Sequence, residues 1–168
     1  ILLTPSQSHR YLHSSVILNG MMLVFGGNTH NGTSYSNGGQ CFSADFQAYD
    51  IACDTWHIMN FPSIHNQNIA RFGHSAVVYN GSMYVFGGFN GQMLNDIQKL
   101  TPGSCEKNAN SAACEKAAPG IKCVWNFEKK ICQPFSVTSK VASYHTCSRR
   151  GGIIFYLVLF FPTYEFYL

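Results

Sequence analysis

The sequence predicts an all-β protein: two repeated antiparallel sheets followed by a small cysteine-rich unit. Three observations predict it. A stretch of eighteen residues recurs without a gap, RYLHSSVILNGMMLVFGG at 10–27 and RFGHSAVVYNGSMYVFGG at 71–88. Each copy sets Asn-Gly between two apolar runs, which suits a two-residue hairpin turn because both turn residues take positive φ. Composition agrees, with 46% hydrophobic and 11% charged residues among 168, and with 15 Gly and 13 Phe. That charged share is about half the ordinary one. The chain is too apolar to be disordered and too poor in charge for a coiled coil, and its β-branched and aromatic residues favour strands. Net charge is +3 without a basic stripe, so nothing points to nucleic acid. The chain opens on Ile1 with neither Met nor a cleavable leader, and reads as part of a longer protein.

The elements follow in order. Residues 1–9 read as the end of a preceding sheet, with a strand at 1–3. In the first repeat, 10–60, strands at 14–18 and 22–25 flank Asn19-Gly20. Gly26-Gly27 marks a place where the backbone turns or passes close to another segment. A polar insert of Asn, Gly and Ser follows at 29–40. A third strand at 46–49, a turn at Cys53-Asp54 and a fourth strand at 56–59 complete the unit. The second repeat, 61–102, has strands at 75–79 and 83–86 around Asn80-Gly81, then Gly87-Gly88 and a third strand at 96–100. Thr101-Pro102-Gly103 breaks it before a fourth strand can form. The apolar runs hardly alternate, which predicts strands buried on both faces. Without the polar insert the unit is about 50 residues long, the period of a propeller blade.

Arg-x-x-His-Ser, Phe-Gly-Gly and Tyr49-x6-Trp56 resemble kelch repeats, and residues 10–134 resemble the attractin family. The fold class is then a partial kelch β-propeller of about two blades, with a PSI-like module at 103–135 and a divergent tail at 136–168. The resemblance implies a large extracellular, single-pass membrane glycoprotein. It assigns blade-building roles to Arg10, His13, Gly26, Gly27, Tyr49, Trp56, Arg71, His74, Gly87 and Gly88. Tyr49 and Trp56 are flat groups suited to packing between blades. Trp125, two residues past Cys123, resembles the Cys-x-Trp core of a PSI-like module, although Asn126 stands where many such modules carry Cys.

Seven Cys are present, and none forms a Cys-x-x-Cys pair, so a zinc site is not indicated. Cys richness together with two sequons, Asn31-Gly-Thr and Asn80-Gly-Ser, favours an oxidising extracellular compartment. Cys105, Cys114, Cys123 and Cys132 are disulfide candidates with three connectivities open. A regular strand between Cys41 and Cys53 would hold them about 23 Å apart, so the expectation is that they do not bond each other and that their partners lie in segments outside this chain. In the tail, nine apolar residues at 153–161 fall short of the ~20 a membrane helix requires. An interfacial segment flanked by Arg149 and Arg150 remains open.

His13 and His74 recur beside equivalent Arg residues, which favours packing over catalysis, since catalytic sites are seldom duplicated repeat by repeat. His9 and His13 have zinc-like spacing for a helix, yet the segment reads as strand. His57 and His65 are assigned to turn surfaces. No nucleophile elbow, carboxylate pair or phosphate loop appears. Asn31, in the polar insert, is the better glycan acceptor, and Asn80 sits in a tight turn. The expected function is extracellular binding or scaffolding without catalysis or cofactor. The expected partner is an extracellular protein or receptor, with membrane attachment only through segments absent here. The competing class is a kelch-propeller oxidase with a copper site; a truncated, non-functional product is the third.

Overall fold

A computed structural model describes residues 9–29, 42–59, 69–117, 120–135, 145–149 and 152–156. The first repeat forms one four-stranded antiparallel meander in the order β1 (Ser14–Leu18), β2 (Met21–Phe25), β3 (Phe46–Asp50), β4 (Thr55–Ile58). The second forms a three-stranded meander, β5 (Ser75–Tyr79), β6 (Ser82–Phe89), β7 (Met93–Leu100). Both Asn-Gly pairs make the tight turns their chemistry demands. Leu18 pairs with Met21 and Tyr79 with Ser82, and φ is +50° and +78° at Asn19 and Gly20, +45° and +70° at Asn80 and Gly81.

The two sheets share one core. Leu18, Met21, Leu23, Phe25, Phe46 and Ala48 of the first sheet cluster with Met83 and Val85 of the second, with Ala76 and Leu100 against them. Each large side chain buried there contributes roughly 1.5–3 kcal/mol, so the inter-sheet seam is the main source of stability for both sheets.

Burial on both faces holds for β3, which is buried throughout, and fails for β1 and β5. Ser14, Val16 and Leu18 face the second sheet while Ser15 and Ile17 point away, so burial alternates along β1. Only Ala76 of β5 packs on the shared core, and Val77 and Tyr79 are exposed on the opposite face. Their apolar character belongs to a face that no described residue covers.

At Gly87-Gly88 the backbone passes close to Phe72 and His74 and does not turn. The strand continues to Phe89 through an irregularity between Phe86 and Gly88, and β7 starts at Met93, earlier than its polar sequence suggests. Trp56 and Tyr49 pair across β3 and β4 with ring centroids 4.9 Å apart. His57 lies on β4, not on a turn. His65 and residues 1–3 lie outside the described residues.

The cysteine-rich segment holds a short helix, α1 (Ser111–Glu115), and a hairpin, β8 (Cys123–Asn126) with β9 (Ile131–Pro134). The Asn110 side chain caps α1 by accepting from the Ala113 N–H at 2.8 Å, a cap that Asn before a small-residue run favours. In the tail, β10 (His145–Arg149) pairs with β11 (Gly152–Tyr156). The first part of the apolar tail run is therefore strand, and 157–161 lie outside the described residues. No helix of the described residues is long and apolar enough to cross a membrane.

Gly26 shows how tightly the seam closes. Its φ is +64°, and a Cβ there would lie 2.5 Å from the Arg71 carbonyl and 2.8 Å from His74 Cε1. Gly81 has a similar φ of +70° but open space around it. Gly81→Ala should therefore cost about 1 kcal/mol of strain, and Gly26→Ala about 3 kcal/mol, since overpacking adds to the same strain. Urea denaturation of the two variants measures the difference.

Candidate interaction surface

The repeat places equivalent side chains in equivalent jobs. Arg10 Nη1 donates to the Gly26 carbonyl at 2.8 Å, and Arg71 Nη1 donates to the Gly87 carbonyl at 2.9 Å. Each Arg also reaches a carboxylate at the third strand of its sheet, Asp45 just before β3 and Asp96 within β7. Arg71 grips Asp96 with both amino groups, at 2.6 and 2.9 Å, and donates Nε–H to the Ile69 carbonyl at 3.2 Å. Arg10 makes one longer contact, 3.3 Å, with Asp45. A guanidinium presents its donors in a fixed fork, and the segment leading into each sheet carries that fork.

His74 and His13 differ in surroundings despite equivalent positions. His74 is buried, shares a 2.7 Å hydrogen bond with the Ser14 hydroxyl through Nε2, and meets the Phe25 ring edge-on at 5.3 Å. It thus plugs a slot of the first sheet made by Ser14, Phe25 and Gly26. Gly88 closes the slot from the other side, where a Cβ would lie 3.0 Å from that of His74. His13 is exposed and lies against Gly27. The Gly27 N–H donates to the Arg71 carbonyl at 2.8 Å and the Gly73 N–H to the Leu12 carbonyl at 2.9 Å, so the two lead segments are also stitched by backbone.

Burial, with the nearby Arg71 charge and a smaller contribution from His13, lowers the His74 pKa against an opposing effect from the Phe25 backbone. The hydrogen bonds from Arg71 lower that of Asp96.

Both Asn-Gly turns and the Asp50–Thr55 turn lie at one end of the sheets. The connections β2–β3 and β6–β7 leave from the other end, where the bridges Tyr11 to Asn28, Asn28 to Phe42 and Phe72 to Phe89 tie it together. The polar insert joins this second end. Its residues 30–41, Asn31 included, lie outside the described residues. Asn80 lies at the first end, exposed, with Ser82 buried and its hydroxyl 3.2 Å from that of Thr101.

Four cysteines form two bridges, Cys105–Cys123 and Cys114–Cys132, one of the three open connectivities. Cys105, Cys123 and Cys132 sulfurs cluster within 4.8 Å, but as disulfides they offer no thiolate to a metal. Cys53 is disulfide-bonded too. This corrects the expectation that its partner lies outside the chain. Cys41 lies outside the described residues, and with it the expectation that the two do not bond each other. Asn126 is buried, and its Oδ1 accepts from the Glu128 and Lys129 N–H groups at 3.1 and 2.9 Å, closing the β8–β9 turn. That explains how the hairpin forms without a further Cys here.

Sequence reasoning missed Lys122, which is buried with its ammonium 2.7 and 2.6 Å from the two Asp50 oxygens. No local pattern announces a pair separated by 72 residues.

A profile of the attractin/LZTR1 β-propeller family matches residues 1–98. Putative protein tag-53 of Caenorhabditis elegans is 39% identical over 128 residues, covering 76% of this chain and 9% of that protein. Kelch domain-containing protein 3 of Rattus norvegicus is 30% identical over 98 residues, 56% of this chain and 25% of that protein. Multiple epidermal growth factor-like domains protein 8 of Rattus norvegicus is 27% identical over 133 residues, 74% of this chain and 4% of that protein. The chain thus spans a quarter or less of the relatives it matches.

Two outcomes test the Arg forks. Arg71→Ala should cost about 3 kcal/mol, because it removes a wholly buried side chain together with its hydrogen bonds to Ile69, Gly87 and both Asp96 oxygens. Arg10→Ala should cost about 2 kcal/mol, because its contact with the exposed Asp45 is single and long and the main loss is the bond to the buried Gly26 carbonyl. Acid should weaken the fold in two windows. A lowered His74 pKa means the unfolded chain binds the proton first, so stability declines as pH falls below 6.5 and levels off below the folded pKa. Asp96 stability is present above 3.8 and is lost as pH falls through its lowered folded pKa. His74→Gln should flatten the upper window and leave the lower one; thermal melts across pH measure both.

Proposed function

The chain belongs to the attractin/LZTR1 β-propeller family, and on that premise we propose that it is a non-enzymatic binding portion of an extracellular, attractin-like membrane glycoprotein. Within the family we read it as nearest to attractin-like protein 1, from the order of blade, insert and cysteine segment. Residues 10–60 and 61–102 are two kelch blades, the second with three strands among the described residues, and 103–135 is a PSI-like module. The partner is an extracellular protein or receptor. It engages loops at the sheet end that carries the insert, as loops on a rigid scaffold commonly carry binding.

One observation carries this reading: the recurring Arg10, Arg71 and His74 are spent on the scaffold, the two Arg within their own sheets and His74 across the seam. Arg10, Arg71 and His74 hold carbonyls, carboxylates and the Ser14 hydroxyl of the scaffold itself. That use of His74 also speaks against the oxidase alternative, which needs His and Tyr converging on a metal. Two disulfides within one short segment support an oxidising compartment. We assign Asn31 as the principal glycan acceptor and Asn80 as a second.

Replacing residues 29–40 by a Gly-Ser segment of equal length in the full ectodomain should abolish binding to partner-bearing cells while the melting temperature stays unchanged. Binding that survives this replacement contradicts the loop assignment. Secreted protein should lose a glycosidase-sensitive mass on Asn31→Gln, and metal analysis should find no stoichiometric copper.

A further inference from the structure

The cysteine-rich module follows β7 of the second sheet in the chain, yet its buried contacts are with the first. Lys122 reaches back to Asp50 at the end of β3. Its ammonium also lies 3.3 Å from Cys53 Sγ, in the same turn. Asp50 Oδ1 is the acceptor that shapes that turn, taking the Ala52 and Cys53 N–H groups at 3.0 and 3.1 Å. Two residues before Lys122, Gly120 has φ +98°, and a Cβ there would collide with the Met59 methyl. Met59 in turn packs on the core shared by the two sheets. On the far side, Phe135 lies against Gly20 of the first hairpin turn, and its N–H donates to the Lys122 carbonyl at 2.8 Å. The module is thus tied covalently to one sheet and by a buried ion pair to the other.

We propose that the disulfide module is a strap across the base of the inter-sheet seam, keyed by Lys122 to the Asp50–Thr55 turn. A buried ammonium without its carboxylate carries a heavy desolvation cost, so the docked position exists only where the first sheet presents that turn correctly formed. Covalent attachment to the second sheet keeps the key at high effective concentration. The strap holds the two sheets in register and fixes the module at the sheet end opposite the polar insert, leaving that end open. The device concerns assembly of the chain and does not rest on the identity of any partner.

Hydrogen exchange on the full chain tests it, with Lys122→Met, Asp50→Asn and the exchanged pair Asp50→Lys/Lys122→Asp. In both single variants, exchange should rise at least tenfold in the Asp50–Thr55 turn and in residues 120–126 together, with Cys105–Cys123 and Cys114–Cys132 intact by non-reducing peptide mapping. The exchanged pair should recover part of the protection. Gly120→Ala, which leaves both charges in place, should loosen the module through backbone strain at φ +98° beside Lys122 and serves where a charge variant fails to fold. Unchanged exchange in the single variants overturns the strap. So does a rise confined to 120–126 with the turn still protected, since that reports loosening of the module alone.

Discussion

The seam between the two sheets is the contact on which the remaining structure depends. Neither sheet has a complete core of its own. Leu23, Phe25 and Ala48 on one side and Met83 and Val85 on the other become buried only because the sheets lie face to face. A single sheet leaves one apolar face in water, which is why repeat architectures gain stability from neighbours and not from the unit. The polar part of the seam is equally specific. His74 enters a slot that glycine backbone keeps open, and Ser14 meets it there. The second sheet therefore cannot slide along the first without separating a buried imidazole from its partner.

Within each sheet, the Arg fork performs a different task from the apolar contact. It joins three segments distant in sequence: the lead into the first strand, the Gly-Gly carbonyl at or near the end of the second, and the acid at the third. A hydrophobic core sets no unique register; a fork with fixed donor directions does. Because Asp96 takes two donors from its Arg and Asp45 one, the fork of the second sheet is the firmer. The first sheet gains a different support, since the Lys122–Asp50 pair and Phe135 close its turn end.

Much of this was legible in the residues, and the limits have physical causes. Asn19-Gly20 and Asn80-Gly81 specify their turns locally, so the hairpins could be placed from sequence. Recurrence marked Arg10, Arg71, His13 and His74 as a set, but not that His74 would be buried and His13 exposed. That depends on which neighbour each sheet has. Burial of β1 and β5 was overestimated because an apolar run states what a strand can bury and not whether a partner is present. Gly87-Gly88 reads as a turn or a close approach, and it is the close approach, to Phe72 and His74, that the strand makes there. Asn126 reads as a missing Cys, and in three dimensions it builds a turn. Lys122 carried no signal at all, since its meaning comes from a carboxylate brought to it by the fold.

The account stands on the two repeats being packed against each other through named side chains, and a double-mutant cycle on Phe25 and His74 tests that most directly. The rings belong to different sheets and lie 5.3 Å apart. Measured by urea denaturation for Phe25→Ala, His74→Ala and the double variant, the coupling should be about 0.5–1.5 kcal/mol, as for ring pairs in contact. Additivity within about 0.3 kcal/mol would mean that the rings do not meet and that the sheets are not stacked in this way.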